Sequence, residues 1–180
     1  MALAVWFGRK MLSNFPASLA LVLKAEGGFV NHRNDPGGMT NLGVTRNVWR
    51  EWVNRDVDEA EMRALTPELV TPLYKQRYWD ACKCDDLPRG VDYAVFDAAV
   101  NMGPGRAAKL LQAALEVKAD GIIGRATIAA ATAADPAELL EAFSLGKEAF
   151  YQSLPTFGVF GKGWLNRVAH VQDAAEQMMG

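Results

Sequence analysis

One stretch of this chain is closed to helix. Residues 29–45 read Phe-Val-Asn-His-Arg-Asn-Asp-Pro-Gly-Gly-Met-Thr-Asn-Leu-Gly-Val-Thr. Glycine there supplies freedom at positive φ, proline a fixed φ, and Asn and Asp side chains that bond their own backbone. The segment is therefore an ordered loop or a short hairpin. Almost everything around it carries helical periodicity. A first helix is predicted over about residues 14–25, with Asn14 as its cap, Pro16 in its first turn and Gly27-Gly28 as its stop. Further helices are predicted over about 46–52, 58–64, 67–78, 91–101, 106–116, 125–133, 136–154 and 164–179. Ala107, Leu110, Leu111 and Ala114 share one stripe, and residues 120–124, Asp-Gly-Ile-Ile-Gly, form a tight turn. Half the residues are hydrophobic and long β-branched alternations are absent, so the expected class is all-α, helices packed on helices.

A chain of 180 residues suits one domain, here read as two lobes packed as one unit: an extension at 1–13, a first lobe at 14–90 and a second at 91–180. Charge is evenly spread. Residues 1–88 hold eleven basic and eleven acidic side chains, residues 89–180 eight and ten. With no cluster of Lys and Arg, nucleic-acid binding is not expected. Cys82 and Cys84, one residue apart, are too close for an ordinary disulfide and too few for a metal site, and read as free thiols. His32 and His170 have no ligand partners at useful spacing, so neither a metal nor a cofactor is expected. Arg9-Lys10 and the apolar run Phe15 to Leu23 superficially resemble a signal peptide, but no small-x-small cleavage site follows and the run is about half a membrane span. The expectation is synthesis in the cytoplasm, without membrane insertion; Met11 is an alternative start.

Leu19, Val22, Leu23 and Glu26 stand at i, i+3, i+4 and i+7, which puts the Glu26 carboxyl on the apolar stripe. Such a carboxyl is desolvated, and desolvation favours its protonated form, the form a general acid needs. The alternative is a glutamate at a frayed helix end turned to water. Gly28, without a side chain, would let substrate approach. Asp35 follows with eight residues between. In a polar loop it should stay ionised, orienting water or stabilising positive charge at a sugar carbon, or it forms only an Asx-turn.

Glu26-Gly27-Gly28-Phe29, then Asp35-Pro36-Gly37-Gly38, Thr40 and Gly43-Val44-Thr45, resemble the active-site block of glycoside hydrolase family 108. The likeness continues in Tyr78-Trp79, in residues 96–103 (Phe-Asp-Ala-Ala-Val-Asn-Met-Gly), in Leu111-Gln112, in residues 120–124 and in Gly163-Trp164-Leu165-Asn166-Arg167, covering about residues 14–178. The resemblance implies a lysozyme-like, two-lobed helical N-acetylmuramidase with Glu26 catalytic and a peptidoglycan-binding second half. The eight residues between Glu26 and Asp35 also resemble the Glu, Asp, Thr arrangement of phage-type lysozymes. Thr40 stands one residue closer to Asp35 than in that group, so Thr45 competes for its role. In the second half Asn101, whose amide can donate and accept, is expected in the cleft, the alternative being that it only caps the end of its helix. Asp97, one helical turn earlier, binds substrate or holds Asn101, and Tyr78 and Trp79 either stack on sugar rings or belong to the core. The expected partner is the peptidoglycan glycan strand, met by a monomer that a holin or a secretion pathway releases to the wall. The alternatives are a catalytically silent peptidoglycan-binding or secretion-assembly module and a chitinase-like glycosidase.

Overall fold

Helix α1 (Phe15–Glu26) carries Pro16 in its first turn and buries Phe15, Leu19, Val22 and Leu23. This is a computed structural model and describes residues 13–31 and 38–180; Asp35 and His32 lie outside them. Asn14 precedes α1 without capping it through its side chain, contrary to expectation. Its Nδ2 donates instead to Asp92 Oδ1 at 3.2 Å, which also accepts the backbone N–H groups of Gly90 and Tyr93 at 2.8 and 2.7 Å. A carboxylate only 4 % exposed requires several donors, and Asn14 is one. Gly27, at φ 79°, ψ −170°, ends α1 in a conformation that L side chains resist.

The described residues of the segment closed to helix form a small antiparallel sheet of β1 (Val30–Asn31), β2 (Met39–Asn41) and β3 (Val44–Thr45). Thr40 lies opposite Val30 on one side and Thr45 on the other. The β2–β3 hairpin turns on Leu42 and Gly43, both at positive φ (50° and 73°), as a two-residue turn matched to strand twist demands. Buried Asn41 donates to the Met62 carbonyl at 2.9 Å and ties the sheet to the helix beside it.

Helices α2 (Arg46–Val53), α3 (Glu59–Arg63) and α4 (Pro67–Tyr74) are capped by Thr45, Asp58 and Thr66, each accepting a backbone N–H three residues on. The single helix expected over 67–78 is two elements. Pro72 lies inside α4, and beyond Tyr74 the chain widens into a π-helical stretch, Lys75–Asp80, before a 3-10 turn at Cys84–Asp86. Pro72 contributes no N–H to the helical ladder and crowds the turn before it, which loosens regular α pairing here.

Helix α5 (Val91–Met102) runs through the centre, with residues 91–99 all buried, and packs on α1, α6 (Pro104–Ala114), α8 (Pro136–Gln152) and α9 (Phe157–Met179). Ala94, Ala98 and Ala99 let those neighbours come close. Phe96 joins Phe15, Tyr74 and Trp79 in an aromatic nest with ring centroids 5.3 to 6.4 Å apart. Before α7 (Arg125–Ala133), the buried Gln112 amide donates to Asp120 and to the Ile122 carbonyl and accepts from Gly121 N–H, which holds the expected turn. Two helices start earlier than expected. Pro104, suited to a first turn, opens α6. α9 begins at Phe157 rather than Trp164, despite Gly158, Gly161 and Gly163, each costing about 1 kcal/mol against alanine. At Gly161 the reason is on view: the Phe157 ring occupies the place of its missing Cβ, 2.5 Å away. Cys82 and Cys84 are free and buried. Among the described residues no helix is long and apolar enough to cross a membrane.

Candidate active site

Glu26 is the last residue of α1, and its side chain is 21 % exposed. It continues the apolar stripe, but the group against it is a guanidinium: Arg167, from the middle of α9, donates through Nη2 to Glu26 Oε1 at 2.8 Å. An apolar wall is therefore not what surrounds this carboxyl. Arg167 is itself anchored, donating through Nε and Nη2 to Asp97 Oδ1 at 3.0 and 2.8 Å. The other oxygen of Asp97 accepts from Lys147 of α8 at 2.5 Å. Asp97 and Lys147 are 1 % and 2 % exposed. The four charges form one chain, Lys147 to Asp97 to Arg167 to Glu26, that crosses from α8 through α5 and α9 to the end of α1. Burial alone would raise the Asp97 carboxyl, but Lys147 and Arg167 together hold it below the usual carboxylate range. Burial works against the charge on Arg167, and Asp97 followed by Glu26 overcomes it, holding the guanidinium above its ordinary value.

Across from Arg167, the β2–β3 turn closes on the same carboxyl. A Cβ built on Gly43 would stand 2.5 Å from Tyr74 Oη and 2.8 Å from Glu26 Cγ, closer than real contacts allow. The turn is held there by Tyr74, whose hydroxyl donates to the Leu42 carbonyl at 2.8 Å. Gly43 thus answers two demands, positive φ and absence of a side chain. Tyr78 is half-buried, its ring 5.6 Å from that of Tyr74. Burial, opposed by Arg77 and reinforced by the charge of Glu26, raises its hydroxyl above the ordinary value.

Asn101, next to last in α5, stands exposed at the rim with its amide against Arg167. Turned with oxygen inward, that amide accepts from Nε, Nη1 and Nη2, each at 2.9 Å. The structure therefore brings together Glu26, Tyr78 and Asn101. It holds others apart. Trp79 is fully buried in the aromatic nest and its Nε1 donates to Asp85 at 2.9 Å, so it offers no face to a sugar. Asp97 reaches the site only through Arg167. Thr45 Oγ1 is engaged in capping α2, accepting from Val48 N–H at 3.3 Å; Thr40 sits directly opposite it on β2. Gly28 is exposed with open space where a side chain would stand.

Arg167, Lys147, Gly43 and Tyr74 were not singled out from sequence. Lys147 carried a usable signal, since Leu140, Phe143 and Lys147 fall at i, i+3 and i+7, the same misplacement of charge on an apolar stripe that marks Glu26. Arg167 carried none beyond its place in a recognisable stretch, because it lies 141 residues from its partner. Beside the site, α1, α5 and α9 leave a groove of about 840 Å³, lined by Lys24, Asn101, Trp164, Arg167 and His170 among others. Arg167 stands between it and Glu26.

No curated protein matches the chain. Among solved structures, SagA of Brucella abortus is 39 % identical, with 92 % of this chain and 95 % of that one covered and a TM-score of 0.83. Residues 19–103 match the glycosyl hydrolase 108 family model, and residues 106–169 match the model of a predicted peptidoglycan domain. With Glu26 and Gly43 inside the first match and Lys147 and Arg167 inside the second, the chain belongs to the glycosyl hydrolase 108 family and its site is assembled from both of its parts.

Proposed function

We propose that the protein is an N-acetylmuramidase that hydrolyses the β-1,4 bond between N-acetylmuramic acid and N-acetylglucosamine in peptidoglycan, with Glu26 donating the proton to the departing oxygen. The observation that carries this reading is the contact shell of Glu26. One carboxyl at a helix end is gripped by a guanidinium on one side and met on the other by a backbone turn lacking a side chain. Such a group is held in place rather than free, and fixed position is what proton transfer to a bound sugar demands of it. Arg167, pinned by Asp97, is the aiming device, and Asn101 and Tyr78 are the groups that meet sugar. Asp35 is assigned the ionised partner's role, assisting a water or the developing positive charge at the sugar carbon, and Thr40 the positioning of that water. The enzyme acts as a monomer on the cell wall after a holin or a secretion pathway releases it from the cytoplasm.

Purified peptidoglycan incubated with the wild type should lose turbidity and gain reducing ends that borohydride converts to muramitol. Glu26→Gln should lose that activity by about a hundredfold or more. Muramitol separates this reaction from glucosaminidase cleavage, and parallel incubation with chitin separates it from a chitinase. If the wild type pellets with walls and releases no sugar ends, the chain is a silent binding module; cleavage by Glu26→Gln at the wild-type rate would remove Glu26 from its role.

A further inference from the structure

Phe160, Trp164 and Arg167 stand at i, i+4 and i+7 of α9, one stripe spanning two turns, about 10 Å along the axis. Arg167 is the residue that grips Glu26. One turn back, Trp164 is stacked on Tyr151, with ring centroids 5.0 Å apart and planes 21° from parallel. One turn further, the Phe160 ring lies 5.7 Å from Trp164. Phe160 is 53 % exposed and its neighbour Val159 78 %. The exposed ring of Phe160 thus continues from Trp164, which itself lines the polar groove. The polar groups at its inner edge are Asn101, Asn166 and Arg167, which line the groove with Trp164. Tyr151 connects ledge and site: its hydroxyl lies 3.5 Å from the Asn101 amide. Burial, and then the charges of Asp97 and Glu26 against the opposing Arg167, push that hydroxyl up to about 12.

We propose that Phe160 and Trp164, backed by Tyr151, form a binding ledge for a glycan strand, holding a sugar ring beyond the one that meets Glu26. The proposal rests on the muramidase reading and names where its substrate continues. An N-acetylated sugar offers an apolar C–H face and a rim of hydroxyl and acetamide groups. The ledge offers aromatic surface beside amides and the guanidinium of Arg167, which shares its helix stripe and itself grips Glu26. That continuity assigns the patch to glycan rather than to lipid.

The test uses Glu26→Gln protein and purified glycan strands freed of stem peptides. Adding Phe160→Ala should weaken binding about tenfold, the size of one aromatic contact, and Phe160→Trp should restore it. Leu145→Ala, an equally exposed apolar residue elsewhere on α8, should bind as the parent. Phe160 is exposed, so unchanged melting temperatures are expected throughout. In the otherwise wild-type enzyme, Phe160→Ala should raise KM with little change in kcat. Unchanged affinity after Phe160→Ala overturns the ledge, even when wild-type cleavage upholds the muramidase reading. Binding that depends on Phe160 in a protein that cleaves nothing supports the ledge and removes the catalytic reading. Failure of Glu26→Gln to bind any strand overturns the ledge, as does retention on phospholipid vesicles that only Phe160→Ala abolishes.

Discussion

Asp97→Asn removes the carboxylate that lies between Lys147 and Arg167 while keeping its shape. Asp97 is 1 % and Lys147 2 % exposed, so the substitution leaves a buried ammonium without a counter-charge. Breaking a buried pair in this way costs about 3–5 kcal/mol. At roughly 2–4 °C of melting temperature per kcal/mol for a chain of this size, the expected drop is about 6–20 °C. Thermal and urea unfolding followed by circular dichroism measure it. Adding Lys147→Met removes the stranded charge, so the double variant should recover most of the loss. Cleavage should not recover with it, because Arg167 has lost its anchor and no longer fixes Glu26. The pH dependence has a definite sign. The Asp97 carboxyl is held below its unfolded value of about 3.9, so its stabilisation is fully present above about pH 4 and lost as pH falls through the lower, folded value. The gap between wild type and Asp97→Asn should therefore stay constant from neutrality down to about pH 4 and narrow only below it. A variant that melts within about 2 °C of wild type, or a double variant no better than the single, would refute the buried-pair argument. Full recovery of activity in the double variant would refute the positioning role of Arg167.

Gly43→Ala should cost about 1–3 kcal/mol from strained φ alone. It should also cut cleavage sharply, because the added carbon meets Glu26 Cγ and Tyr74 Oη; wild-type kcat in this variant would separate the turn from the acid. Trp79→Ala should lower stability by about 3–5 kcal/mol, yet the folded fraction, measured below its melting point, should keep the wild-type KM, since Trp79 touches the aromatic nest and not the groove. Thr45→Ala should lose about 1 kcal/mol through its cap, seen in denaturation midpoint, and leave kcat within a few-fold of wild type. Arg167→Lys keeps one charge but cannot fork between Asp97 and Glu26; kcat is expected to fall with a small change in melting temperature.

Helix class, the arrest of α1 at Gly27 and the break into strands at residues 30–31 and 39–45 were legible because each rests on near neighbours: apolar spacing, turn residues, a missing side chain. Glu26 was legible on the same ground, as a charge on an apolar stripe at a helix end. Non-local partners were not. That logic failed where distant groups compete for a side chain, as when Asp92 took Asn14 from the cap of α1. It failed again where packing overrides propensity, as in the glycine-rich start of α9. Tyr78-Trp79 read as one aromatic pair, and only the π-helical stretch and the nest around Phe96 separate them, one half-buried near Glu26 and the other sealed in the core. By itself the sequence determined a helical chain with a carboxyl at the end of an apolar stripe, followed by a turn-rich segment. Which charge meets that carboxyl was decided in three dimensions, because Arg167 stands 141 positions away, and only the packing of α5, α8 and α9 brings the anchored guanidinium to Glu26.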